Sequence, residues 1–255
     1  MRTRTLVVLG FGAYAVFLAA TLPARLLAQR LAVPGALAIE DAKGTVWHGS
    51  ARAVLGTGEP AVVLDPVRWR FLPSRLASGR LAFAVEASGP GVSARGEIGR
   101  GVRAYEALDV EARVDASAVA AIAPLAAGWR PGGTIALAAP MIAWNGQEAR
   151  GRAQLEWTNA TLALSDVRPL GSYRIEAHAG GGPAAISVAT IEGPLRIAGR
   201  GTFAPPDGLD FSAEARADAA QAAALEPLLG LIGPKRPDGA RGIEWRSVAK
   251  VPPRT

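Results

Sequence analysis

From Leu31 onward the chain alternates apolar and polar residues with a period of mostly two. Ala107-Leu108-Asp109-Val110-Glu111-Ala112-Arg113-Val114 alternates cleanly, Leu209 to Arg216 does the same, and Arg80 to Glu86 does so loosely. Successive side chains of an extended chain point to opposite faces, so these stretches predict antiparallel strands with one buried face. Breaks at Gly89-Pro90-Gly91, Gly180-Gly181-Gly182-Pro183 and Pro205-Pro206-Asp207-Gly208 supply the turns. Two stretches change period. Asp115 is placed to cap a short helix through Ala118, Ile122 and Leu125. Asp218 is placed to cap a longer one through Ala222, Leu225, Leu228 and Leu229, closing near Gly230 and Gly233. Both are amphipathic and predict packing on the sheet.

The first residues read differently. Arg2 and Arg4 precede an uncharged run from Thr5 to Ala24. Roughly 20 residues at 1.5 Å each match the hydrocarbon thickness of a bilayer. A cleaved signal peptide is the competing reading, but the apolar run exceeds its usual 7–15 residues and no clean A-x-A site follows. An anchor is favoured. The charges do not orient it, because Arg25, Arg30 and Lys43 balance Arg2 and Arg4.

Element order then repeats with a period on the order of 100 residues. Trp69, a Pro-Leu-type turn, Gly79, a strand, Gly96, Leu108-Asp109, Asp115 and a helix are followed by Trp157, Pro169-Leu170-Gly171, a strand, Gly199, Leu209-Asp210, Asp218 and a helix. The expected fold is mainly β: an N-terminal single transmembrane helix, then an extended or curved antiparallel sheet made of two similar β-plus-short-helix repeats. The expected segments are 1–27 (stub and span), 28–140 and 141–245 (the repeats) and 246–255 (a mobile tail).

Composition narrows the chemistry. Among 255 residues 49% are hydrophobic but only 6% aromatic, with 30 Gly and 19 Pro, so burial rests on small side chains and turns are many. The net charge of +6 comes almost wholly from Arg scattered singly, with no basic run, which argues against nucleic-acid binding. With no cysteine, disulfides and thiol chemistry are excluded. His48 and His178 stand far apart without zinc-ligand spacing, and Ser50, between Gly49 and Ala51, is no nucleophile elbow. Gly10 and Gly12 lie inside the apolar run, where a phosphate cradle is implausible. No catalytic, cofactor-binding or metal-binding residue is expected, nor any cofactor, and the chain is not expected to be an enzyme.

The most distinctive string is Gly44-Thr45-Val46-Trp47-His48-Gly49-Ser50-Ala51. A Trp between glycines reads as a packing anchor at a strand entry, and losing a buried one costs about 3–5 kcal/mol. At this string the chain resembles the type II secretion system protein N family. That family has one span ending near Leu22-Pro23-Ala24, a G-T-V/L-W-x-G-S-A string, and a W-x-x-x-P-x-x-L-x-x-G segment, here Trp69, Pro73, Leu76 and Gly79. Further matches are Gly133-Thr134, Trp157 to Ala160, Pro169-Leu170-Gly171-Ser172-Tyr173, and the run from Thr190 to Leu195 containing Gly193 and Pro194, then Gly199 and Gly201. The structural family motif is thus Gly44, Thr45, Trp47, Gly49, Trp69, Pro73, Gly79, Trp157, Pro169, Gly171, Tyr173, Gly193 and Pro194.

The resemblance implies an inner-membrane protein with a cytoplasmic N-terminus, a periplasmic β-domain and an accessory role in exporting folded proteins across the outer membrane. It brings no catalytic residues. Two workings stay open: a module docking on other type II secretion components, or an apolar groove holding a lipid or another hydrophobic ligand. An open face of small and branched residues favours the groove; a closed core enclosing Trp69 and Trp157 favours docking.

Overall fold

The structure is a computed structural model that describes residues 10–11, 13–14, 17–56, 61–119, 128–204, 208–237 and 239–247. A short helix α1 (Ala24–Leu31) precedes thirteen strands: β1 (Leu37–Gly44), β2 (His48–Leu55), β3 (Val62–Phe71), β4 (Leu81–Gly89), β5 (Val92–Arg100), β6 (Tyr105–Asp115), β7 (Gly132–Trp144), β8 (Ala149–Thr161), β9 (Gly171–Gly180), β10 (Ala184–Glu192), β11 (Leu195–Ala204), β12 (Gly208–Ala217) and β13 (Arg241–Ser247). Helix α2 (Ala222–Ile232) lies between the last two. The strands form one antiparallel meander in chain order, each pairing with its sequence neighbours. The three alternating stretches fall in β4, β6 and β12, as their period demanded.

Period two becomes a physical face through the register. Residues directly opposite across antiparallel strands share a face. Ala51, Val67, Ala87, Ala94, Ala112, Leu137, Leu155, Ile175, Val188, Gly199, Ala213 and Ile243 stand opposite one another in turn from β2 to β13. The row contains no polar side chain. One residue along each strand, the other face carries Ser50, Arg68, Glu86, Arg95 and Glu111. Bulges keep the faces sorted where the alternation slips. The register shifts between Arg95 and Glu97, beside Asp109 at φ 48°, and again between Ala138 and Met141.

Burial is uneven. Every leucine buried among the described residues belongs to one cluster, Leu170, Leu195, Leu225, Leu228 and Leu229 with Ala215, where α2 packs on the β9–β13 end of the apolar face. Arg241 ties α2 to β13, donating to Gly233 O at 2.8 Å and pairing with Glu226. Elsewhere the apolar row is half-buried apart from Ala51 and Ala213.

Several expectations meet corrections. Asp115 and Asp218 do open helical turns, but neither caps one with its side chain. Asp115 has its carboxylate against Gly91, and Asp218 gives its own to Arg196, Nε to Oδ1 2.7 Å. Of the first expected helix the described residues hold a 3₁₀ turn, Ala116–Ala118, and helical Val119; residues 120–127, with Ile122 and Leu125, lie outside them, as does the turn at 205–207. The sheet runs unbroken through residue 140 within β7, and β13 takes in Arg246 and Ser247 of the expected tail. Three strands follow that of Trp69 before the helical exit at Asp115, whereas four follow that of Trp157 before Asp218. The two stretches therefore hold unequal numbers of strands when counted from their tryptophans.

Among the described residues no helix is long and apolar enough to cross a membrane. The expected span falls partly outside them; Gly10, Phe11, Ala13, Tyr14 and Phe17–Ala20 are helical, and Pro23 separates them from α1.

Candidate functional site

The motif residues gather at two places. At the first, β1 and β2 are joined by Thr45-Val46-Trp47. Thr45 N and Oγ1 both bond His48 O, and the Trp69 indole of β3 reaches over to donate to Thr45 O and Val46 O at 3.2 and 3.1 Å. Gly49 makes this possible, because a Cβ there would collide with the Trp69 ring. Trp47 lies edge-on to Phe71 (centroids 5.1 Å), which leans on Phe83 (5.6 Å). Beyond Phe71, Pro73 opens a 3₁₀ turn to Ser78 and Gly79 closes it at φ 70°.

Trp47 corrects its expected role. It is half-buried rather than enclosed, and its indole donates to Ala19 O at 2.6 Å. Val46 N donates to Leu22 O at 2.8 Å, and Pro23 bridges Thr45. The string therefore fastens the end of the N-terminal apolar run to the β1–β2 turn. His48 is exposed and serves through its backbone.

The second place lies at the opposite end of the strands. Trp157 donates to Gly132 O at 3.0 Å and stands 6.0 Å from the Tyr173 ring. Tyr173 Oη donates between Leu170 O (3.3 Å) and Leu195 O (3.0 Å), and burial pushes its phenol well above the usual range, so it stays neutral. Gly171 and Gly193 approach so closely that a Cβ on Gly193 would collide with Gly171 Cα. Pro169 follows a cis bond, and Pro194 O accepts from Asp218 N at 2.7 Å. This assembly closes the core beneath α2.

Two surfaces went unread in the sequence. On the apolar face, Phe83, Ile98, Ala107 and Ile142 stand in register, with Leu81, Tyr105 and Trp144 in the next row outward. They line an open trough of about 400 Å³. On the other face of β1–β4, Lys43, His48, Ser50, Arg68, Arg70 and Glu86 line a hollow of about 360 Å³. The signal was present in Arg68-Trp69-Arg70-Phe71, which sends Arg and aromatic side chains to opposite faces. Among the described residues no cluster of His, Cys, Asp and Glu could hold a metal.

Comparison with curated proteins and with solved structures found no match. The model of one family, described as type II secretion system (T2SS), protein N, matches residues 13–244. That stretch takes in both motif assemblies and the strands between them, and the chain belongs to the type II secretion system protein N family.

Proposed function

We propose that this secretion-system component is a single-span inner-membrane accessory, with its N-terminus in the cytoplasm and its sheet in the periplasm, and that it acts through contacts with other type II secretion components rather than by catalysis. The observation carrying the proposal is the apolar face: an in-register row over twelve strands, which among the described residues has helices packed at its β1–β2 and β9–β13 margins and none over the strands between. Apolar surface on that scale marks an interaction surface. The motif residues are its framework, and the two units of the chain lay its strands down. Photo-reactive side chains at Leu137 and Ile175 on the apolar face are expected to capture other secretion components in cells carrying the whole apparatus. The same groups at Gln154 and Glu176 on the polar face are not. Equal capture from both faces overturns the proposal. Protease added to spheroplasts is expected to cut the sheet domain, and protection removes the topology.

A second reading, a groove for a lipid or another hydrophobic ligand, is favoured by one particular. Trp69 and Trp157 lie half-buried on the apolar face instead of filling a closed core, and the row itself is small or branched. Recovery of lipid alone from Leu137 and Ile175 selects this reading.

A further inference from the structure

The two ends of strands β1–β6 differ in chemistry. At one end lie the turn Thr45–Trp47, the 3₁₀ turn Pro73–Ser78 and the hairpin tip Gly101–Ala104. Val102 there is 90% exposed, and Leu76, Leu81, Ile98 and Tyr105 are each about half exposed or close to it. Val102 at a hairpin tip contributes nothing to the core. The two later tips abut, since Val102 Cγ2 would lie 3.9 Å from a Cβ on Gly79. Their acids are already neutralised, Glu97 by Arg75 at 2.7 Å and Glu106 by Arg80 at 3.1 Å. Arg100 is stacked 4.8 Å over Tyr105. Lys43, Arg70 and Arg103 add positive charge without a carboxylate partner among the described residues. The opposite end carries Asp65, the Gly89-Pro90-Gly91 turn and Asp115, and its exposed large apolar side chains among the described residues are Leu31 and Val33, where α1 leads into β1.

Only the first end receives the apolar N-terminal run, through the bonds of Val46 to Leu22 and Trp47 to Ala19. We propose that this rim of β1–β6 lies in the membrane interface, its aliphatic and aromatic tips at the headgroup level and Lys43, Arg70 and Arg103 on the phosphates of anionic lipids. The inference rests on the tether proposed above. Aromatic and Arg side chains together suit the interfacial layer, where an apolar body and a charged tip are both accommodated. Six strands at about 4.8 Å spacing give a rim roughly 24 Å wide.

The chain has no cysteine, so single-cysteine labelling is clean. Full-length V102C and P90C, the latter at the opposite end, carry nitroxide labels in vesicles of phosphatidylcholine with a minority of phosphatidylglycerol. Their circular dichroism is compared with that of the parent chain. The label at 102 is expected to be relaxed by oxygen and shielded from a water-soluble nickel chelate by several-fold relative to the label at 90. In pure phosphatidylcholine, or with Arg70→Glu and Arg103→Glu added, that difference is expected to shrink. A label at 102 as open to the chelate as the label at 90, in protein that resists alkaline extraction, overturns the rim while leaving the tether. Immersion indifferent to lipid charge overturns the phosphate contacts. Release of the protein by alkaline carbonate removes the tether and the rim with it.

Discussion

The two motif assemblies use similar residues to opposite ends. Around Trp69 the indole bonds the backbone of a neighbouring turn, Trp47 is half-buried, and the apolar face beside them is open. Around Tyr173 the side chain is 4% exposed and three α2 leucines cover the face. Both belong to one meander, so strand pairing does not explain the difference. Among the described residues the difference is a helix that follows β12 and folds back. An antiparallel sheet can leave a face to other partners, and here α2 covers the face around Tyr173.

That contrast can be broken from its closed side first. Leu228→Ala removes a 2%-exposed side chain from a filled cluster, and is expected to cost about 3–4 kcal/mol in chemical denaturation. If the cost stays below about 1 kcal/mol, the cover is not a true core. Trp47→Ala is expected to cost less, about 1–2 kcal/mol, since only part of the ring is buried and one hydrogen bond is lost. Its sharper effect is expected in hydrogen exchange, where the amides of Val46 and Phe71, now bonded to Leu22 O and Trp47 O, lose protection while β10–β12 keep theirs.

Tyr173→Phe is expected to cost about 1 kcal/mol, through the lost donor to Leu195 O. Because the folded phenol is raised above its unfolded value, the stability it contributes is full below about pH 10 and falls as pH rises beyond that. The Phe variant is expected to lose this alkaline component of the melting curve. On the open side, Ile98→Ala is expected to cost under about 1 kcal/mol, the side chain being 51% exposed; a larger loss means the trough is closed in solution. The smallest effect belongs to Arg196→Gln. Its guanidinium hydrogen bond holds the Asp218 carboxyl below the usual range, so the pair adds stability above the unfolded carboxylate pKa that fades as pH falls through the folded one. Carbon-detected NMR titration of Asp218 is expected to show its pKa moving up in the variant.

Much of the strand architecture was legible because alternation is local: Val110, Ala112 and Val114 mark one face of β6 without knowledge of any partner. Amphipathy likewise marked Leu225, Leu228 and Leu229 as the inward side of α2. The count of strands was not legible, because the Trp, Gly and Pro landmarks are silent on how many times the chain turns between them. One strand more between Trp157 and Asp218 than between Trp69 and Asp115 puts the two tryptophans at opposite strand ends. The depth of Trp47 was equally hidden, since it depends on what lies across from Phe71 and Ala19. Asp218 had two suitors, the backbone amides of its own turn and Arg196 across β11–β12, and only the pairing register brings the second within reach.

Pairing strictly between sequence neighbours has a bearing on biogenesis. A sheet whose strands arrive in chain order can complete each hairpin in turn, because each strand pairs with the one that comes next and none waits for a distant partner. Growth is by accretion at one margin, with the most recently arrived strand always the template for the next. Helix α2 and β13 come last and seal only the newest stretch, so the earliest-made surface spends the longest time available to whatever else is being assembled beside it.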